Sequence, residues 1–380
     1  MNVDLLIKNG VIVDPARNIE QVGDLAIKNG KIVDAGPPGV EADRVIDADG
    51  CLVLPGLIDF HAHVYTPGTE IGINANSACL PQGVTAVVDG GSAGVANYDN
   101  FVRTAVAFSE VRMFGLINVS PTGIPTLRYH EDVSPRHYDA DALEAIFAKY
   151  PGQVLALKVR QSKDIVGEMG LEPLKATVKI ADRIGCPVVV HVTNPPCSLD
   201  KIADELRPKD VFCHVFQGTG LTIIGKDGKV LPGIKAARER GVIFDASNGK
   251  GHFSFAVARA AIADGFLPDV ISTDLTVLTM YIDYAFGVPY LMSKYLSLGV
   301  KLTDVVAACT STPASLMGMK GVLGTLAPGA VADVAILRRV QRPTRFKDTP
   351  GEVFVGDQLL ICQMTVLGGK IVYRQIDFDT

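Results

Sequence analysis

Eight times between residues 52 and 275 a short apolar run gives way to a stretch of different character. The runs are LVLPGLIDFHAHV, GVTAVVDGG, MFGLINVS, QVLALKVRQ, CPVVVHVTN, DVFCHVFQG, GVIFDASNG and DVISTDL. Between them, segments such as DALEAIFAKY, LEPLKATVKIADRIG and GIKAARERG space their apolar residues as a helix with one buried face does. A strand that pairs with a parallel neighbour needs a long crossover, and a helix supplies it. Eight strand-to-helix alternations predict an α/β protein whose form is the (β/α)8 TIM barrel.

The ends of the chain keep another rhythm. The N-terminal segment reads DLLIKNGVIVD, DLAIKNGKIVDAG and DRVIDADGCLVLP, strand-like runs bounded by Asn-Gly, Asp-Gly or Gly-Pro turn signals. The C-terminal segment answers with GTLAPGAVADVAILRR and QLLICQMTVLGGKIVYRQ, whose Gly-Gly sits between two β-rich runs. At 380 residues the chain exceeds a usual single domain. We therefore expect a small β-sandwich domain built from residues 1–53 plus 324–380, and a barrel domain spanning 54–323.

In such a barrel, inward side chains at the C-terminal strand ends face the active site. His61 and His63 end the first run as i and i+2, pointing the same way with Cα atoms roughly 7 Å apart, close enough to share one metal. Lys158 lies inside the apolar fourth run, where an uncompensated ammonium would be costly to bury. The fifth run ends in His191, the sixth in His214 and the eighth in Asp274. One buried histidine is an ordinary core residue; potential ligands at five separate strand ends are not. The connection PTGIPTLRYHEDVSPRHY, residues 121–138, is long, proline-rich and on that same face. It reads either as a lid or substrate loop or as a tolerated surface insertion.

His-x-His on strand one, lysine on strand four, histidines on strands five and six and aspartate on strand eight resemble the amidohydrolase superfamily in its binuclear, carboxylated-lysine form. Dihydroorotases, hydantoinases and related deacetylases are of this kind, and the likeness is closer to the dihydroorotase-like predicted deacetylases. PGLIDFHAH and GTLAPGAVADVAIL resemble the points where those enzymes leave and rejoin their small β-domain. The resemblance implies two divalent ions, zinc by expectation. His61, His63 and Asp274 would hold the more buried ion, His191 and His214 the more exposed one, and carboxylated Lys158 would bridge them. It also implies a metal-bridging hydroxide as nucleophile, with Asp274 as the catalytic proton carrier. Carboxylation would turn a buried cation into a two-oxygen anion, which suits that position.

Substrate residues are read around this set. Arg160 shares a strand face with Lys158 and either clamps a substrate carboxylate or forms a structural ion pair. Tyr65 stands where dihydroorotases carry an arginine, which turns the expectation from dihydroorotase toward acyl hydrolysis. Asn248, Lys250 and His252 in FDASNGKGHFSF could line the pocket, His252 being equally readable as a solvated loop residue. Arg128 and Tyr129 are further candidate contacts, Asp59 either orients a ligand or pairs nearby, and His130 and His137 match no ligand position. The expected activity is hydrolysis of an amide or ester of a small carboxylate. The alternatives are a cyclic amidohydrolase or a catalytically silent barrel scaffold, while a one-metal deaminase fits Lys158 poorly.

The rest of the sequence narrows partners. The net charge is −5 with no block of like charges, so neither a nucleic-acid footprint nor a basic membrane face is expected. Seven cysteines form no C-x-x-C pair, which suits reduced thiols in the cytoplasm. No signal peptide or uninterrupted spanning segment is read. Expected is a cytoplasmic enzyme of a small-molecule substrate, associating as a homo-oligomer.

Overall fold

The computed structural model describes residues 2–34 and 40–378. The Gly-Pro turn signal at 36–37 lies outside the described residues. Two sheets organise the chain. The first is built from β1 (Asn2–Asp14), β2 (Ile19–Lys28), β3 (Lys31–Val33), β4 (Glu41–Asp47) and β5 (Cys51–Pro55). The second contains β6 (Leu57–Ala62), β7 (Val84–Asp89), β8 (Arg112–Asn118), β9 (Val154–Arg160), β10 (Val188–His191), β11 (Val211–Cys213) and β12 (Ile243–Asp245). Then β13 (Val334–Lys347), β14 (Val353–Leu367) and β15 (Lys370–Arg374) return to the first.

Strands β6 to β12 pair in sequence order, all parallel, as a strand-helix repeat requires. The eighth apolar run closes this curled sheet without becoming a regular strand. Single parallel bridges join Val270 to Asp245 and Leu275 to Ala62, so the run touches the seventh strand and the first. Its side chains explain the irregularity. Ser272 and Thr273 are spent on buried carboxylates, and Asp274 adopts φ +52, a left-handed backbone that ends an extended ladder.

Side chains alternate along the strands. Ala86, Val88, Leu116, Ala156, Val189 and Val211 share one cluster, which Met317 and Leu323 join. Val87, Ile117, Leu157, Val190 and Phe212 belong to another, with the helix residues Leu143, Leu174 and Ile234. This is the inside and outside of a parallel sheet wrapped by helices.

Both termini meet in the other sheet, as expected, in the order β15-β14-β13-β5-β1-β2-β3 with β4 added to β1. All eight strands lie in this one hydrogen-bonded sheet, over a core of Leu5, Ile7, Ile27, Val53, Ile336 and Val366 among others. β5 is its seam, parallel to β1 and antiparallel to β13. The run LVLPGLIDFHAHV, read as one strand in the sequence, is divided between the two sheets. Pro55 lacks an amide donor, and Gly56 lies so close to Thr85 that a Cβ would collide with its hydroxyl, so the chain changes sheets there. Among the described residues no helix is long and apolar enough to cross a membrane.

Candidate metal centre

The six residues singled out in the sequence converge at one end of the parallel sheet. His61 lies on β6 and His63 just beyond it; Lys158 lies on β9, His191 ends β10, and His214 follows β11. The register places Val189 beside Lys158 and His191 beside Arg160, so neighbouring strands present these groups at adjacent levels. Asp274 is laced to the first strand: its N–H donates to the His61 carbonyl at 2.7 Å, and His63 N–H donates to the Leu275 carbonyl at 2.8 Å. All six side chains are buried.

The side chains lie in contact with one another. His61 Nε2 lies 3.6 Å and His63 Nε2 3.4 Å from Asp274 Oδ1. Lys158 Nζ is 3.2 Å from His61 Nε2, and His191 Nδ1 is 2.8 Å from His214 Nε2. Two sets of three, His61 with His63 and Asp274, and His191 with His214 and His252, each offer ligand atoms within 4.8 Å of one another, the spacing a metal ion needs.

Neighbours fix the imidazoles. The Ser247 carbonyl can only accept, so His214 Nδ1 donates to it at 2.7 Å and Nε2 is left with its lone pair. Ser92 Oγ donates to Asp89 Oδ2 at 2.9 Å and therefore accepts from His63 Nδ1 at 2.8 Å, again freeing Nε2. His61 Nδ1 engages Ser247 Oγ at 2.7 Å. Three histidines thus turn Nε2 toward a common space. Two glycines keep that space clear. A Cβ on Gly91, at φ +90, would stand 2.6 Å from Lys158 Cγ, and one on Gly249, at φ +51, would stand 2.6 Å from Asp274 Oδ2.

The electrostatics fit neutral ligands around one anion. Burial, reinforced by the neighbouring cationic groups, drives His61, His191 and His214 well below the usual histidine range, so they are uncharged at neutral pH. Burial alone would raise Asp274, but the hydrogen bond from His63 opposes it and the carboxyl is held far below the ordinary carboxylate range. Burial likewise lowers Lys158. Among the described residues Lys158 has no carboxylate within ion-pair distance.

The other sequence candidates divide. His252 joins the cluster, with Nε2 3.5 Å from Asp274 Oδ2 and Nδ1 2.8 Å from Thr193 Oγ1. Asn248 is buried behind it, its amide directed to the Ser272 carbonyl and the Tyr295 hydroxyl, each at 3.4 Å. Arg160 lines the cavity of about 60 Å³ that opens on His61, His63, Lys158 and Asp274, and it is ion-paired to Glu131. Tyr65 is not brought to the site. Its ring is buried edge-on against Phe101, and its hydroxyl accepts from Asn100 at 2.6 Å, because the chain turns away after His63. Tyr129 is 76% exposed and also stands apart, as does Arg128, paired with Glu70 on the surface. His130 and His137 face Asp164 and Asp132.

Asp59 proves to be a strut. It accepts from Thr273 N at 3.0 Å and from Thr273 Oγ1 at 2.5 Å, which fastens strand eight to strand one beneath the ligands. Burial pushes it up to about 6. Asp245 does the same for Ser272 across strand seven, accepting its hydroxyl at 2.7 Å. Sequence reasoning missed Asp89, Ser92, Ser247 and Glu131. The acids ending VVD and IFD were visible, but the groups they hold in place, His63 through Ser92 and Ser272 of the eighth run, are far away in sequence.

The Amidohydrolase family matches residues 52–372. A deacetylase of Agrobacterium fabrum is 33% identical over 333 residues, covering 86% of this chain and 80% of that protein. A crystal structure of a dihydroorotase superposes with TM-score 0.87 at 30% identity, covering 98% of both chains. A crystal structure of an adenine deaminase superposes with TM-score 0.88 at 27% identity, covering 98% of this chain and all of that one. A match over most of the sequence, joined to ligand-bearing strand ends in the order read above, makes this chain a member of the amidohydrolase family.

Proposed function

We propose that the protein is a metal-dependent hydrolase that cleaves the acyl bond of a small carboxylate-bearing amide or ester, in the manner of a deacetylase. The observation that carries the reading is the convergence of His61, His63, Lys158, His191, His214 and Asp274 within one buried cluster. The similarity to the Agrobacterium fabrum deacetylase supports the reaction class. The donor set fits two divalent ions, zinc by its mixture of neutral imidazoles and carboxylate. Lys158 fits a carboxylated side chain, since an amine buried among imidazoles gains from becoming an anion there.

Ions held at this site would polarise the scissile carbonyl and activate water. The chain's own groups do the rest. Asp274, ionised by its histidine neighbours, accepts the proton of the attacking water and returns it to the departing amine or alcohol. Arg160 faces the cavity with N–H groups free for a substrate carboxylate. Ile71, Ile124 and Leu127 roof the cavity and exclude bulk water.

A cyclic amide is the second reading, favoured by the likeness to the dihydroorotase structure. The same proposal divides the chain at 1–53 plus 324–380 and 54–323, the terminal sheet folding over its own core as a sandwich. Seven free cysteines support a cytoplasmic setting. Zinc-supplemented protein, analysed for metal and assayed on N-acetyl amino acids, α-acyloxy acids, hydantoins, dihydroorotate and adenine, tests the reading. Two ions per chain and turnover of the acyl compounds are expected. Folded protein with far less than one ion per chain overturns the enzyme; turnover of hydantoins, dihydroorotate or adenine alone overturns the substrate class.

A further inference from the structure

His252 lines the cavity from the loop after strand seven and also packs against the histidine cluster. The strand-seven loop turns at Gly249, where a Cβ would also stand 2.8 Å from His252 Cδ2, and the turn lays the His252 ring over two histidines. Its ring centroid is 4.1 Å from that of His214 and 5.0 Å from that of His191. Thr193 Oγ1 engages Nδ1 at 2.8 Å, which leaves Nε2 directed inward, 3.5 Å from Asp274 Oδ2. One ring nitrogen is held by a hydroxyl and the other faces the cluster. That is the arrangement by which metal-ligating histidines are oriented.

We propose that His252 is a third protein ligand of the divalent ion held by His191 and His214. The inference rests on the metal-centre reading above and changes its arithmetic. His61, His63 and Asp274 form one set of three, and His191, His214 and His252 form another. Three protein ligands and an open position are what a catalytic zinc ion takes. Each ion would then have three protein ligands of its own besides any contribution from Lys158.

The test is titration of metal-free protein with Co2+, read by the visible absorption of bound cobalt and by metal analysis of the isolated complex. Wild-type protein should take up two equivalents. His252→Asn should keep one equivalent, weaken the other by at least ~10-fold, and change its spectrum, since even partners behind a ligand are worth about 10–100-fold in affinity. Thr193→Val, which leaves the ring in place and removes only its hydroxyl partner, should weaken the same equivalent by a smaller factor. If His252→Asn fails to fold, Thr193→Val alone decides the matter. Two equivalents bound by His252→Asn, or by Thr193→Val in that case, with wild-type affinity and spectrum overturn the third ligand and leave the two-ion centre standing. Wild-type protein that binds no cobalt overturns both.

Discussion

Arg160 donates from Nη1 to Glu131 Oε2 across 2.8 Å, and this bond ties the long 121–138 loop to the fourth barrel strand. The Glu131 side chain is only 1% exposed and that of Arg160 14%, so the pair is desolvated and its members depend on each other. Among the described residues Glu131 Oε1 has no partner of its own. The sequence left Arg160 open between a substrate clamp and a structural ion pair; the geometry gives it the ion pair on one edge and the cavity on the other.

Removing the second member should therefore cost less than removing the first. Glu131→Gln or Arg160→Met is expected to lower stability by about 3 kcal/mol, and the double variant by less than the sum. Urea unfolding followed by circular dichroism measures this. Additive losses would mean that the two charges do not interact.

Asp274→Asn should fold and still bind metal, though less tightly, while losing turnover by about 10²–10⁴-fold, the usual worth of a positioned proton carrier. The measurement is kcat at matched metal content. Activity within a few-fold of wild type would remove Asp274 from proton transfer.

Ser92 joins Asp89 to His63 through two hydrogen bonds of 2.9 and 2.8 Å. Ser92→Ala breaks the chain without touching a ligand, and metal affinity is expected to fall about 10–100-fold. Competition with a chromogenic chelator reads it. An unchanged affinity would show that His63 is oriented by packing alone.

Lys294 is buried in the helix Val288–Ser297, its Nζ donating to the Tyr284 carbonyl at 2.9 Å and standing 4.4 Å over the Phe253 ring. Burial lowers it to about 7, against the partial opposition of Asp348 and Asp283. Between that value and its ordinary range the unfolded chain holds a proton that the folded protein does not. The contribution of Lys294 to stability should then be flat below pH 7 and rise with pH above it, until the free side chain also deprotonates. Relative to Lys294→Met, wild-type protein should gain a few kcal/mol, on the order of 1.4 per pH unit, between pH 7 and pH 9.5. Parallel pH profiles of the two proteins would contradict this.

The clustered residues were legible because each ends a run whose apolar residues announce a strand, and because a barrel brings strand ends together. Lys158 was legible for the opposite reason, as a charge where none belongs. What was not legible is what crosses between strands. His63 and Ser92 are 29 residues apart, and Arg160 and Glu131 are also 29 apart, with nothing local to join them. Tyr65 was read from its likeness to an arginine position, and nothing in the sequence signalled that β6 ends at Ala62 and that the ring packs against Phe101. The eighth strand was found as a run, although its polar residues break the ladder that would define it.

The seam at β5 also has a consequence in time. Its antiparallel partner β13 begins at Val334, roughly 280 residues after Pro55, and at about 5–20 residues per second a ribosome needs tens of seconds to make that stretch. For that interval β5 presents an unpaired edge, the kind of strand border that recruits other chains. The barrel is thus synthesised while one border of the terminal sheet stands open, and nascent chains stalled inside it should be the species most in need of a chaperone.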